Sequence, residues 1–492
     1  MKKKILFLIA VFEFIATSIV YAQFQTGISG SNNSGVLGVT INPANTNKLS
    51  NGTDIMPLFF SSSVLNNDFY LPAKPITSVI KPEIFSAFTQ NEKLGGETIN
   101  QKFERLFNLK RDLKTNGYIF ADLSIYGPSF LTNIGPHSFG IITAFKGSLG
   151  TVGLPPDMAT FLQKGLTSTD LIGKTFQLNK VKAGAIAYTD IAFNYSYKIK
   201  ETFKTHQRLG VTFHYLTGIN SIIFEDYGTT WTVFADTSLY FSNSSFQYNY
   251  SANKAKTIGD VLTSKGNGFS FDIGYSYAKK SKIRATRTTY CPNIKGGGRV
   301  REFQTFKWKF GISVMDIGFI NFNKQTVSNS YVQSFGVAKH LDADFYRGVF
   351  ALNRAFIYGL EGSSGIEGSN HIFVDNYTHF MPTRVNVQYD YHYKENWYFS
   401  FYASQRTPLS SKIPMRSPNI LSLSARYETL KYEVGLPISL IEYQYPVLGL
   451  NFRIGPFMIG TNQLLEMVGL RQIKGLDFYF GFKFNISNIR GV

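Results

Sequence analysis

The chain has 492 residues, 43% of them hydrophobic and 16% aromatic, with a formal net charge of +18. Its one cysteine, Cys291, excludes an internal disulfide and a thiolate metal cluster. The 45 Phe and 29 Tyr against 3 Trp argue against a helical soluble enzyme, and the positive charge implies either an anionic partner or a generally basic surface.

The first 22 residues have the order of a secretory signal. Lys2, Lys3 and Lys4 are followed by an apolar run from Ile5 to Val20, broken by Glu13, and cleavage is expected after Ala22. No later apolar run is long enough for a spanning helix, so the exported chain could cross a bilayer only as a closed barrel. Residues 23–52 are set apart as an N-terminal hatch or plug segment.

From there the chain repeats one design, in which runs of ten or more residues alternate apolar and polar between Gly, Asn, Ser, Lys or Pro. In Arg384 to Tyr393, Val385, Val387, Tyr389, Tyr391 and Tyr393 share one face, while Arg384, Asn386, Gln388, Asp390 and His392 share the other. The same split sets Ile191, Phe193, Tyr195, Tyr197 and Ile199 against Asp190, Asn194, Ser196 and Lys198. It recurs at Phe269–Tyr277, and at Phe306, Trp308 and Phe310 against Lys307 and Lys309. It recurs again at Leu421–Tyr427 against Arg426 and Glu428, and at Phe452 and Ile454 against Asn451 and Arg453.

Runs of this length are long for a soluble sandwich and suit tilted strands crossing hydrocarbon. Aromatics near run ends suit an interfacial girdle. The expected fold is therefore all-β, a transmembrane antiparallel β-barrel of about 14 strands over residues 53–484. A soluble all-β protein is the alternative. Residues 97–113 and 156–166 have helical spacing, residues 281–301 read as a basic Gly-rich loop, and Asp272 and Asp316, each beside a glycine, are expected in strand-end turns.

The last run, Gly475 to Phe484, sets Leu476, Phe478, Phe480, Phe482 and Phe484 on one face. The heptapeptide Lys474 to Phe480 resembles the C-terminal signal read by the outer-membrane barrel assembly machinery, with Gly475, Phe478 and Phe480 at its Gly and apolar positions and Phe484 continuing the apolar face. Here residues 485–492 follow it as a tail.

Gly35 to Asn45 (GVLGVTINPAN) contains Asn42-Pro43-Ala44, which resembles a segment near the start of long-chain fatty-acid-transporter-like barrels. With Gly311 to Ile320 (GISVMDIGFI), Met381-Pro382-Thr383 and the final aromatic strand, the chain is similar to a family of uncharacterised Bacteroidetes outer-membrane barrels, and distantly to the barrel partners of gliding and type IX secretion systems. The resemblance implies a barrel in the cell outer membrane and carries over no substrate or catalytic residues. It leaves two readings of Asn42, Pro43 and Ala44: a plain turn, or part of a hatch over residues 23–52 folded into the lumen.

No phosphate loop or His-Glu-x-x-His motif is present, and no nucleophile with a base can be picked out. An enzyme is not expected, nor any cofactor or metal. The candidate lumen-lining residues are Lys198, Asp190, Lys307, Lys309, Arg384, Asp390, His392, Arg426, Glu428 and Arg453, either tuning solute selectivity or pairing among themselves. The expected function is a porin-like channel for a solute or hydrophobic ligand, with a structural or docking barrel of a secretion or motility complex as the alternative. Membrane lipid, lipopolysaccharide phosphates, the assembly machinery and secretion or motility proteins are the expected partners. Nucleic acid is not.

Overall fold

The computed structural model describes residues 26–46, 52–67, 69–75, 110–111, 117–155, 172–178, 180–235, 238–251, 263–280, 306–338, 372–373, 376–407, 415–429 and 431–487. The signal sequence, residues 156–166 and the basic loop 281–301 lie outside them. So does most of the helical stretch 97–113, although Lys110–Arg111 within it form a short strand against Phe69–Tyr70 rather than a helical turn.

Fourteen antiparallel strands make the wall, each bonded to the next in chain order. They are β1 (Gly52–Asn66), β2 (Gly117–Tyr126 and Ser129–Ile134), β3 (His137–Leu154), β4 (Lys182–Glu201), β5 (Thr205–Asp226), β6 (Gly266–Lys280) and β7 (Phe306–Phe322). The circuit continues through β8 (Tyr377–Phe380 and Arg384–Lys394), β9 (Trp397–Arg406), β10 (Ile420–Glu428), β11 (Tyr432–Ile441), β12 (Tyr445–Leu448 and Leu450–Ile454), β13 (Phe457–Thr461) and β14 (Gly475–Ser487). β14 then pairs with β1 from Gly52↔Ser487 to Leu65↔Gly475, which closes the sheet. The last strand thus runs on to Ser487, into the region read from sequence as a tail.

Proline explains two interruptions. Pro128 splits β2 and Pro382 splits β8, since neither can donate to the ladder. One end carries tight turns, as at Glu395-Asn396, where Glu395 takes the left-handed conformation with φ 50°. The wall is uneven in height. β3, β4 and β5 have 18, 20 and 22 residues, whereas β9, β10 and β11 have 10, 9 and 10. The surplus length of β5 pairs Ser221–Asp226 with residues 246–251 of an added strand, Ser238–Ser251. Beside it, Phe176 stacks on Trp231 at 5.7 Å and makes a small apolar core above the rim.

Polarity is inverted across the wall. Along β4, Asp190, Asn194 and Ser196 are buried, while Phe193 is 48% and Tyr197 42% exposed. β5, β6 and β14 repeat this, with Leu209, Phe213, Phe271, Ile273, Phe478 and Phe482 outward and Arg208, His214, Asp272 and Asp477 inward. The alternation read from sequence therefore gives the faces correctly over most strands.

It fails at two bulges. Between Lys279↔Trp308 and Lys280↔Phe306 the register slips, so Phe306 is buried and Lys307, expected inside, is exposed. The second bulge lies between Ile273↔Val314 and Phe271↔Ile317, and gives Asp316 a φ of 59°. Asp272 and Asp316 consequently sit within strands, not in turns.

At Gly481 an added Cβ would lie 2.5 Å from the Phe59 ring and 2.8 Å from the Leu58 carbonyl oxygen, across the closing seam. Gly481→Val is expected to weaken closure by about 1–3 kcal/mol. The measurement is the temperature at which the compact, fast-migrating band is lost on electrophoresis without boiling. An unchanged temperature would show that the seam tolerates the added bulk.

Candidate functional site

The lumen is occupied by the chain's own N-terminal segment. Two single-turn helices, α1 (Thr26–Ser29) and α2 (Val36–Val39), bring Ile28, Val36, Leu37 and Val39 against Met56, Phe59, Tyr126, Ile142 and Tyr479 of the inner wall. This apolar patch anchors one side of the segment.

The other side is held by polar side chains. Asn42 Oδ1 accepts from the Ala44 amide at 2.9 Å, a turn closed by the asparagine itself. Its Nδ2 reaches the carbonyl oxygens of Tyr275 (3.2 Å) and Ile312 (3.4 Å) on β6 and β7. The Pro43 carbonyl accepts from Asn194 at 3.2 Å, and the Ile41 carbonyl accepts from Ser313 (2.7 Å) and Asn386 (3.0 Å). Asn45 donates to Gln388 at 2.8 Å, and Asn33 to Glu428 at 2.9 Å.

The wall is recessed where the Asn42-Pro43 turn sits. A Cβ on Gly274 would stand 2.1 Å from Asn42 Oδ1, and one on Gly210 would stand 2.4 Å from the Pro43 carbonyl. These two residues face each other in the β5–β6 register, so the absence of both side chains makes one dimple under the turn.

Two charge networks line the rest. In the first, Lys146 on β3 donates to Asp190 on β4 at 2.8 Å, and Asp190 meets His214 Nδ1 on β5 at 2.9 Å. His214 Nε2 lies 2.9 Å from Asp272 on β6. Asp272 accepts from the Asp316 amide on β7 at 2.7 Å, and Asp316 pairs with Arg384 on β8 at 3.3 Å. Both ring nitrogens of His214 thus lie within hydrogen-bond reach of a carboxyl group, which fixes the ring between β4 and β6. Lys146, His214 and Arg384 alternate along the belt with Asp190, Asp272 and Asp316. A cavity of about 20 Å³, room for about one water, lies between this belt and Val39 and Thr40 of the segment.

In the second network, Arg426 Nη2 bonds both oxygens of Asp390, at 3.0 and 3.1 Å, and Ser400 also donates to Asp390. Glu428 lies 3.7 Å from Arg426 Nε, and Arg453 pairs with Glu433 at 3.3 Å. His392 Nε2 donates to the Glu395 carbonyl, 2.6 Å away, and the ring stacks on Tyr398 at 4.6 Å.

The candidate residues therefore separate. Asp190 and Arg384 belong to the first network, and Asp390, Arg426, Glu428 and Arg453 to the second. Lys198 pairs with Glu201 at 3.2 Å near the strand end, Lys309 is buried with no ion pair among the described residues, and Lys307 is exposed. Sequence reasoning missed Lys146, His214 and Arg208, whose polar-face spacing in β3 and β5 was available as a signal. Ser221 lies 2.7 Å from His379 Nδ1, but His379 Nε2 has no partner to orient it as a base. Among the described residues, no group of three His, Cys, Asp or Glu is arranged to hold a metal ion.

No curated protein matches the sequence. Among solved structures the chain is similar to a TodX deltaS2S3 mutant monoaromatic hydrocarbon channel, at 9% identity and a TM-score of 0.42 over 95% of this chain and 97% of that one. It is also similar to the Pseudomonas putida toluene transporter TodX, at 8% identity and a TM-score of 0.38 over 95% and 98%. A Pseudomonas aeruginosa FadL homologue is similar at 9% identity and a TM-score of 0.25 over 95% and 99%. At such identities and TM-scores these likenesses carry no argument about the chain. A model described as "Family of unknown function (DUF5723)" matches residues 81–462, most of the sequence, and the chain belongs to that family.

Proposed function

We propose that the protein is an outer-membrane channel for a solute or hydrophobic ligand, kept shut by its own N-terminal segment. The observation that carries this reading is the seat of Asn42-Pro43 against Gly210 and Gly274, with seven strands of the wall bonded to residues 33–46. A segment held by side chains, outside the ladder of the wall, can leave without unpairing a strand. The outward belt of Phe, Tyr, Ile and Leu supports a membrane setting, since water would have to cover that apolar ring. Strands of nine or ten residues in β9–β11 are the length that crosses hydrocarbon at a tilt. Lipid then surrounds the belt, and the chain's net charge of +18 suits lipopolysaccharide phosphates as neighbours.

The docking reading has one observation in its favour, the small sheet raised above the rim on the β3–β7 side. Crosslinking in membranes followed by mild detergent extraction tests it. Recovery of the barrel with a stoichiometric secretion or motility protein would favour docking over conduction.

Three outcomes are expected. Phe193→Arg should destabilise folding into lipid vesicles by about 2–4 kcal/mol, as a charge facing hydrocarbon does. A water-facing position would change by no more than about 0.5 kcal/mol, and that result in a urea titration would remove the membrane reading. Asn42→Ala removes two hydrogen bonds to the wall and should shift the seated-to-released ratio by about 2 kcal/mol, roughly 30-fold. Gly274→Val should expel the turn. Planar-bilayer recordings should therefore show larger or more frequent openings in both variants and in a deletion of residues 26–46. Equal current in all four proteins would refute the gate.

A further inference from the structure

The connection from β9 to β10 leaves the wall at Thr407 and rejoins it at Asn419. Both stalks are fixed there. The Thr407 amide donates to the Thr383 carbonyl at 3.2 Å, the Asn419 amide donates to Glu442 at 2.7 Å, and Glu442 also pairs with Arg406 at 3.0 Å. The described tip of the connection, Met415-Arg416, nevertheless lies against β3 and β4. In a ring of fourteen strands β10 stands seven from β3 in either direction, so the tip reaches across the mouth of the lumen at the end opposite the Glu395-Asn396 turn.

The wall is recessed to receive it. Gly150 and Gly184 face each other in the β3–β4 register, as Gly210 and Gly274 do under the Asn42-Pro43 turn. A Cβ on Gly184 would stand 2.9 Å from Met415 Cβ, and one on Gly150 would stand 3.1 Å from the Arg416 amide nitrogen. Met415 is 3% exposed and packs in a buried cluster with Ile186, Tyr188, Leu216, Phe322, Tyr377 and Met381, while Arg416 is exposed. Among the described residues, no hydrogen bond or ion pair ties Met415 or Arg416 to the wall. The tip reads Pro414-Met415-Arg416-Ser417-Pro418, and the two prolines reduce the backbone freedom lost when it seats. Its base is hydrogen-bonded and its end is held by shape and apolar contact alone.

The inward residues of β4 give the order of layers. Gly184 meets the tip, Ile186 and Tyr188 join the apolar cluster, Asp190 belongs to the charged belt, and Asn194 holds the Pro43 carbonyl. The tip and the N-terminal segment therefore lie on opposite sides of the belt.

We propose that Met415-Arg416 is a second closure of the lumen, in series with the N-terminal segment and released independently of it. As a gate it rests on the channel reading given above. Releasing the segment alone then gives openings that the tip still limits.

The test places a thiol under the tip, as Ile186→Cys in a full chain carrying Cys291→Ser, and follows its labelling by a hydrophilic maleimide in detergent. Labelling should be slow in this parent. Gly150→Val should raise the rate about tenfold or more, and deletion of residues 26–46 should leave it unchanged. Met415→Ser, which removes the apolar anchor without touching the wall, serves if Gly150→Val loses the compact electrophoretic band. Fast labelling in the parent, no rise on displacing the tip, or an equal rise on deleting the segment would overturn the second closure. In planar bilayers, Gly150→Val combined with the deletion should pass more current than the deletion alone, and equal non-zero currents would overturn the series arrangement. Labelling as expected with no current in any protein would strike the channel reading and leave the closure standing.

Discussion

Everything in this molecule depends on the seam between the first and last strands. A fourteen-stranded sheet left open would expose the backbone donors and acceptors of Gly52–Asn66 and Gly475–Ser487, two long unprotected edges. Pairing them removes both edges at once and turns the sheet into a wall with an inside and an outside. Only then does the period-two alternation acquire its meaning, because the residues of one parity face a confined space and those of the other face the surroundings. The exposed phenylalanines of β14, Phe478, Phe482 and Phe484, stand on the outside of that seam, and Asp477 and Tyr479 on the inside, so the closing strand carries the same polarity as the rest.

The confined space is unusual in how little of its charge is left to solvent. The belt from Lys146 to Arg384 crosses six adjacent strands, with His214 set between two aspartates. Such pairs stabilise little against an apolar replacement, yet losing one member leaves a buried charge unbalanced. The networks therefore hold the strands in one register and give the N-terminal segment a fixed surface. Against that surface the segment splits its contacts, apolar at α1 and α2 and hydrogen-bonded from Ile41 to Thr46. The result is a filled lumen built without a second domain.

Much of this was legible in the sequence because the relevant signal is local. Ile191–Ile199 and Phe269–Tyr277 show their faces by alternation alone, and the aromatic parity of Leu476–Phe484 is the same in sequence and structure. The strand number could be approached by counting runs. What alternation cannot carry is register. That His214 sits between Asp190 and Asp272 follows from pairings across three strands, and that Gly210 and Gly274 share one dimple follows from another. A bulge adds one residue and inverts parity beyond it, which is why Lys307 points the opposite way from its expected face and why Asp316 reaches Arg384. The Asn42-Pro43-Ala44 turn was readable as a turn, but its contacts come from residues more than 150 positions away.

The spread of those contacts has a consequence in time. Residues 26–46 are made before the strands that hold them, so Asn33 waits for Glu428, Asn45 for Gln388 and Asn42 for Ile312. None of these partners exists as a surface until nearly the whole polypeptide has been threaded and its circumference completed. That stretch is accordingly seated only once the wall around it has formed.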